Sequence, residues 1–424
     1  MMSNVFNTNF SEASELFSTK ILLYFFCLGI IPSFCIWRIQ IRKSKTSHRI
    51  GTIFITLIAV VLLAYANSKS WLWFDKNAKR IGGLTMPLSY TINSLKQYSS
   101  YHKNNIVELK IPDAHFVKDN KTIVVLVIGE SARAAEFALY GYQRNTNPNL
   151  EKDRVVAMQN TKSCTTYTTE SIKCMLSYQG SNSSSNKQYE VLPTYLQRHN
   201  INVIWRSNNW GQPKMKVASY QKSEDLQKKC QQENCKSDNF SFDEAMLYQL
   251  NSELSKNINN DNFIVLHQAG SHGPLYHTKY PEKFEIFKPV CKSVELQKCS
   301  QEELINAYDN TILYTDNFLH QVITLLKSFK DKSAVMIYIS DHGESLGEYN
   351  FYLHGTPYYI APKFQKEIPF IVWMSDKFQQ DHNISNAALA KKSENSHDNI
   401  FHSVMGAFGL RSEIYNKDLD IFSQ

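Results

Sequence analysis

Thr122-Ile-Val-Val-Leu-Val-Ile-Gly-Glu130 is an unbroken, mostly β-branched run that ends on a glycine and a carboxylate. An apolar run without polar alternation describes a strand buried on both faces, the habit of parallel sheets covered by helices. Similar runs follow at Asn202-Val-Ile-Trp205, Phe263-Ile-Val-Leu266, Ala334-Val-Met-Ile-Tyr-Ile339 and Pro369-Phe-Ile-Val-Trp373. Helical patterns at Ser241–Ile258 and Glu302–Phe329 lie between them. Strands alternating with helices predict an α/β domain over residues 116–424, a mostly parallel sheet sandwiched by helices.

The stretch before that domain has another character. Ile21–Trp37 is almost wholly apolar, with Pro32 inside it, and Thr52–Ala66 is a second apolar run. Between them lie Arg38, Arg42, Lys43, Lys45 and Arg49. Two apolar runs around a basic loop predict two transmembrane helices, at about 21–37 and 52–67, in a small α-helical membrane domain over residues 1–115. The positive-inside rule puts the loop in the cytoplasm and everything after the second span on the far side. Trp71, Trp73 and Phe74 would sit in the interfacial belt, and Leu88–Tyr101 would form a linker helix.

Composition narrows the class further. The chain has 424 residues, 43% hydrophobic and 20% charged, as expected of a folded protein of two parts. A formal charge of +7 is mild and not gathered into one arm, which argues against nucleic-acid binding. Six of the eight cysteines fall into three close pairs: Cys164 and Cys174, Cys230 and Cys235, Cys291 and Cys299. Each pair brackets a polar stretch, and none is a CxxC, so the pattern suits local disulfides in an oxidising compartment better than metal thiolates. Sequence alone leaves the connectivity open. The oxidising compartment and the charge-derived topology agree, although each rests on different residues.

In open α/β sheets the functional residues gather beyond the carboxyl ends of the strands. Here those ends carry Glu130, His267 with His272 close behind, and Ser340-Asp341-His342, followed by His354. Carboxylate and imidazole together suit zinc, and Glu130, Asp341 and His342 would supply three ligands with one position open. A serine or threonine hydroxyl is a weak nucleophile at neutral pH, and a metal stabilises its alkoxide. The turn Ser163-Cys-Thr-Thr-Tyr-Thr-Thr-Glu-Ser-Ile-Lys-Cys-Met175 is rich in hydroxyls. Its spacing does not choose among Thr165, Thr166, Thr168, Thr169 and Ser171.

Several further motifs stand in a fixed order. They are Gly129-Glu130-Ser-Ala-Arg133, Cys164-x-x-x-Thr168 with Cys174 six residues on, His267-Gln-x-Gly-x-His272-Gly-Pro, Ser340-Asp-His-Gly-Glu-Ser-Leu-Gly-Glu348 and Tyr352-Leu-His354-Gly. Lesser landmarks are Tyr140-Gly-Tyr-Gln-Arg-Asn-Thr-Asn-Pro148, Trp205-Arg-Ser-Asn-Asn209 and Asn306-Ala-Tyr-Asp-Asn310. Over essentially the whole chain this set resembles the phosphoethanolamine–lipid A transferases, the colistin-resistance type within the alkaline phosphatase/sulfatase-like superfamily. The resemblance implies that Thr168 is the nucleophile. Glu130, Thr168, Asp341 and His342 would hold a tightly bound zinc ion. His267, His272 and His354 would surround the transferred phosphate or a second zinc. It also implies disulfides 164–174, 230–235 and 291–299. Asn4, Thr8 and Glu12, four residues apart and so on one face of a helix, resemble family positions that touch the ethanolamine phosphate.

The implied activity is transfer of phosphoethanolamine from phosphatidylethanolamine to a phosphate of lipid A through a phospho-threonine intermediate. It would be carried out by a multi-pass protein of a bacterial inner membrane with a periplasmic catalytic domain, and would confer resistance to cationic peptides such as polymyxins. The chain departs from the family twice. It is expected to begin in the loop before the last two spans, which leaves a truncated, inactive lipid-binding protein as one rival reading. Another glycan acceptor is a second rival. The segment after Asn209 reads Trp210-Gly-Gln-Pro-Lys214, so the expected serine is missing and the substrate-contacting lysine, Lys214, is offset. A sulfatase is disfavoured, because no Cys/Ser-x-Pro-x-Arg motif lies around 164–174.

Overall fold

The computed structural model describes residues 19–39, 46–66, 91–92, 94–95, 108–118, 121–183, 188–233 and 242–423. The chain divides into two compact units, the first within Leu16–Asn104 and the second within Asn105–Gln424.

In the first unit, helix α1 (Thr19–Tyr24) passes through a π-helical stretch, Phe25–Ile30, into α2 (Ile31–Arg38). Pro32 sits in the first turn of α2, directly after the π-helical stretch. Helix α3 spans Thr46–Ala66. In α3 the hydroxyls of Thr52 and Thr56 each bond a carbonyl one turn back, at 2.8 Å, which hides their polarity against the helix. Large apolar side chains stand exposed on these helices, among them Leu28 (75%), Trp37 (77%) and Ile55 (69%). Among the described residues no helix is long and apolar enough to cross a membrane. The two expected spans fall on these helices, but the π-helical stretch divides the first and α3 opens on the polar turn Thr46-Ser-His-Arg49. Residue 67, most of the basic loop, Trp71, Trp73 and Phe74 lie outside the described residues, as does most of Leu88–Tyr101.

The second unit is built on a seven-stranded sheet. Its strands are β1 (Thr122–Gly129), β2 (Val156–Ala157), β3 (Asn202–Ser207), β4 (Ser219–Lys222), β5 (Asn262–His267), β6 (Ser333–Ser340) and β7 (Phe370–Met374). The order is β2-β7-β6-β1-β5-β3-β4. The five strands from β6 to β4 are parallel, and β7 pairs antiparallel with both β6 and β2.

Alternation along β1 builds both layers of the core. Val124, Leu126 and Ile128 face a cluster that includes Ile172 and Met175 of α4 (Thr168–Leu176) and Phe401 and Val404 of a helix at Asp398–Ala407. Ile123, Val125 and Val127 face Tyr308, Ile312 and Leu319 of α5 (Gln301–Lys327). Helix α5 starts on a capping box, in which the Ser300 hydroxyl accepts from the Glu303 N–H and the Glu303 carboxylate accepts from the Ser300 N–H. Its buried polar groups are spent on loops. Asp309 Oδ2 accepts from the Tyr142 hydroxyl and from Arg144, both at 2.9 Å, and Asn306 Oδ1 accepts from Arg144 at 2.7 Å. Asp316 accepts from the Asn149 and Leu150 N–H groups at 3.1 and 2.9 Å. The landmarks at 140–148 and 306–310 are therefore two halves of one contact.

The five apolar runs are strands, as expected. The predicted helix at 241–258 is broken: Gln249 takes a left-handed φ of 52°, which separates a short 3-10 turn, Asp243–Leu247, from a helix at Leu250–Lys256. Strands β2 and β4 carry no apolar run and were not anticipated.

Candidate active site

The register places the chemistry. Ile128 of β1 pairs with His267 of β5, and Gly129 pairs with Ser340 of β6. Glu130, His267 and Asp341 therefore emerge at one level from three adjacent strands. A side chain at Gly129 would lie 2.5 Å from the Tyr338 hydroxyl, so only glycine lets β1 and its neighbour close here. Ser131 then turns the chain with a φ of 54°. Its N–H donates to Asp341 Oδ1 at 3.0 Å, and the His342 N–H donates to the same oxygen at 2.7 Å. The Tyr308 hydroxyl, from α5, donates to Ser131 O at 2.7 Å and accepts from Arg133 N at 3.0 Å. The helix layer thus braces the loop that carries Glu130.

Thr168 is the first residue of α4 and is buried. Its Oγ1 lies 3.2 Å from Glu130 Oε2 and 3.5 Å from His342 Nε2. A helix N-terminus carries partial positive charge, which favours negative charge on an oxygen placed there. The other candidate hydroxyls are engaged elsewhere. Thr165 Oγ1 pairs with Ser171 Oγ at 2.8 Å, and Thr166 donates to Thr356 O at 2.6 Å. Thr169 borders an adjacent groove.

His342 Nδ1 faces Gly343 O at 3.0 Å and so donates to it, which leaves Nε2 toward Glu130 Oε1 (3.4 Å) and Asp341 Oδ2 (3.3 Å). His354 Nδ1 lies 2.7 Å from Glu344 Oε2. The rings of His342 and His354 are 4.2 Å apart, and those of His272 and His354 are 5.6 Å apart. One ligand atom each from Glu130, His342 and His354 falls within 4.8 Å of the others. His267 Nδ1 contacts Ser207 Oγ at 3.2 Å. The Asn209 side-chain amide donates to Glu130 Oε2 at 2.8 Å and to Gln268 O at 2.9 Å, tying two strand ends together.

Among the described residues, three buried atoms here have no hydrogen-bond partner: Asp341 Oδ2, His267 Nε2 and His272 Nδ1. Buried polar atoms are rarely left so, and unmet ligand atoms around a carboxylate pair fit a cation. The charges show the same demand. Burial would raise Glu130, but the imidazoles of His342, His272 and His354 and the Ser131 hydroxyl hold it far below the ordinary carboxylate range. Burial and the neighbouring Glu130 push Asp341 well above that range. Burial and the nearby His354 push His342 down to about 3. Burial pushes His267 and His272 down to about 4 each. Two carboxylates and neutral imidazoles around one hydroxyl are a donor set for a divalent ion.

Of the remaining expected residues, Lys214 is exposed and has no hydrogen bond or ion pair with this cluster among the described residues. Asn4, Thr8 and Glu12 lie outside the described residues. Cys291 and Cys299 are disulfide-bonded. Cys230 is disulfide-bonded too, and its expected partner Cys235 lies outside the described residues. The expected bond between Cys164 and Cys174 is not formed: both stand as thiols, their sulfurs and a His397 nitrogen within 4.8 Å of one another. Burial would raise Cys164, but hydrogen bonds with Cys174 and His397 bring it to about 6. The Cys174 thiol also contacts Asp398 Oδ1 at 3.4 Å. Sequence reasoning gave no role to Glu344 or His397. Glu344 lies inside a quoted motif, whereas His397, whose Nε2 is 2.9 Å from Ser340 O, stands in no motif and had no local signal.

Residues 122–410 match the Sulfatase family model, and residues 1–102 match the family model described as Phosphoethanolamine transferase EptA/EptB. The chain is 42% identical to Phosphoethanolamine transferase EptA of Helicobacter pylori, over 99% of this chain and 79% of that protein. It is 35% identical to Phosphatidylethanolamine transferase Mcr-1 of Escherichia coli, over 88% of this chain and 73% of that protein. Among solved structures, the integral membrane protein lipooligosaccharide phosphoethanolamine transferase A (EptA) from Neisseria meningitidis matches with a TM-score of 0.87 and 31% identity, covering 99% of this chain and 81% of that one.

Proposed function

The chain belongs to the phosphoethanolamine transferase family of sulfatase-like fold and is a transferase enzyme; from that premise we propose that Thr168 carries phosphoethanolamine from phosphatidylethanolamine to a phosphate of lipid A. The observation that carries the reading is Thr168 Oγ1 at a helix N-terminus, 3.2 Å from Glu130 Oε2 and beside unmet ligand atoms. Two displacements at phosphorus follow. In the first, Thr168 Oγ1 bonds to phosphorus, the bond to the glycerol oxygen breaks, and diacylglycerol leaves with a proton. In the second, an oxygen of the acceptor phosphate bonds to the same phosphorus, the Thr168 Oγ1 bond breaks, and Oγ1 takes the proton given up by the acceptor phosphate, which restores the hydroxyl. Positioning and charge stabilisation do most of the work in phosphoryl transfer.

Glu130, Asp341 and His342, with the Thr168 oxygen, would hold a divalent ion, and zinc fits that set. When bound, it supplies Lewis-acid stabilisation of charge on the hydroxyl oxygen and on the phosphoryl group. The chain's own groups do the rest. Asn209 orients Glu130, Gly343 O orients His342, and Glu344 orients His354. His267, His272 and His354 would line the phosphoryl group or a second ion, and metal analysis of the purified chain reads the count.

The setting belongs to the same proposal. Residues 1–115 form a membrane domain of two spans and 116–424 a periplasmic catalytic domain of a bacterial inner membrane. The exposed apolar side chains of α1 to α3 and the Cys291–Cys299 disulfide support this. Adding phosphoethanolamine, with its cationic amine, to lipid A would weaken binding of cationic peptides such as polymyxins. Intact-mass spectrometry after incubation with phosphatidylethanolamine and zinc tests the chemistry. A phosphoethanolamine adduct that maps to Thr168 and is missing in Thr168→Ala is the expected result. A folded, zinc-loaded chain without adduct refutes it.

A further inference from the structure

A groove of about 430 Å³ runs beside α4, and nothing in the reaction above uses it. We infer that it is the acceptor subsite, which takes the sugar ring bearing the accepting phosphate; this rests on the reaction just proposed.

Position is the first argument. One wall is Thr169 and Lys173, four residues apart and so on one face of α4. Thr169 is the residue after the nucleophile. The segment from Trp210 to Pro213 lines it too. A Cβ at Gly211 would lie 3.5 Å from Thr168 Cγ2 and 3.6 Å from Thr169 Cα, so this segment packs on the first turn of the nucleophile helix. The Trp210 N–H bonds Asn209 Oδ1, and the Asn209 amide bonds Glu130, so the segment is tied to the reacting centre.

Chemistry is the second. A pyranose shows an apolar C–H face and a rim of hydroxyls. The groove is lined by the aromatic residues Trp210 and Tyr189 together with the amide side chains of Gln179, Gln188 and Gln212. Tyr189 is held by an edge contact with Tyr178, centroids 5.3 Å apart. Gln212 keeps a buried Oε1 without a hydrogen-bond partner. Among the described residues no carboxylate lines the groove, and Lys173 does, its amine a loose 3.6 Å from Glu170. An acyl chain of the donor would leave those amides unmet, whereas a phosphorylated sugar meets both the amides and the cation.

The two half-reactions separate the possibilities in the full chain with phosphatidylethanolamine and zinc. With Gln179→Ala and with Gln188→Ala, the KM for lipid A should rise about tenfold, equivalent to ~1.4 kcal/mol. The rate of adduct formation on Thr168, measured without acceptor, should change by less than about twofold, which is under ~0.4 kcal/mol. Adduct formation that falls in step with transfer would make the groove a donor site and overturn the inference, as would an unchanged acceptor KM. A wild-type chain that never forms the adduct would sink the reaction instead. Calorimetry with glucosamine 1-phosphate then decides the groove alone: binding weakened by both substitutions supports it, and binding insensitive to them overturns it.

Discussion

Glu344 is fully buried and never needs to touch substrate, yet its removal should cost the enzyme nearly as much as removal of His354. Its Oε2 lies 2.7 Å from His354 Nδ1, and its Oε1 accepts from the Tyr276 hydroxyl at 2.7 Å. Glu344→Ala strands both donors. A buried donor left without a partner costs ~1–3 kcal/mol, and His354 is partly exposed, so the fold should lose about 2–4 kcal/mol. The second loss is aim. Without the carboxylate, His354 Nδ1 loses its 2.7 Å partner, and the nearby Ser131 Oγ stands at a long 3.4 Å. Partners that orient a site histidine are typically worth ~10–100-fold, so adduct formation should slow by about that factor. Glu344→Gln keeps an acceptor for the imidazole and should recover most of the stability. The decisive assay is a double-mutant cycle on the rate of Thr168 adduct formation. If Glu344 acts through His354, then Glu344→Ala/His354→Ala is no slower than His354→Ala alone. A double mutant whose loss is the product of the two single losses would refute the positioning role.

Chelation should lower the melting temperature, because Glu130 and Asp341 are buried together; metal at a hundredfold excess over its Kd adds ~2.7 kcal/mol. Asp341→Asn should lose most of that metal dependence, and an equal shift in the mutant would count against the ligand set. His382 is pushed down to about 4 by burial and by nearby Lys118, whereas an unfolded imidazole titrates near ~6.5. The unfolded chain therefore binds the extra proton between those values. Stability is full above about pH 6.5 and falls toward pH 4, by up to ~3 kcal/mol from this group. Denaturant melts of His382→Gln should show a flatter acid limb, and an unaltered limb would exclude the assignment. Tyr142→Phe removes a donor from Asp309, which burial already pushes up to about 7, and should cost ~1–2 kcal/mol in urea unfolding.

The layered fold was legible because each central strand is a closed apolar run, and burial on two faces leaves no other composition. Strands β2 and β4 were not legible: Val156–Ala157 is too short to show a period, and Ser219-Tyr-Gln-Lys222 is a polar edge held by one neighbour. The long helix at 241–258 was read from apolar spacing alone, and no spacing announces the left-handed Gln249 that breaks it. At the site, Glu130, His267, Asp341 and His342 could be read as strand-end residues. Choice of one hydroxyl among five could not, since it depends on which one α4 turns toward Glu130. Asn209 showed only as a landmark, because its contact is with a residue 79 positions earlier. The closeness of Cys164 and Cys174 was legible from their spacing, whereas His397, which joins them within 4.8 Å, comes from more than 220 residues further on.

The order of β6, β1 and β5 in the sheet also governs when the centre comes into being. β1 lies between a strand that starts at Asn262 and one that starts at Ser333, and the bond from Ser131 N to Asp341 spans 210 residues. Contacts so distant along the chain close late and slowly. During synthesis, Glu130 and Thr168 wait for more than a third of the protein before their partners exist. A half-made chain therefore has no complete ion pocket and no activated hydroxyl, and the chemistry is withheld until the last strands of the sheet are in place.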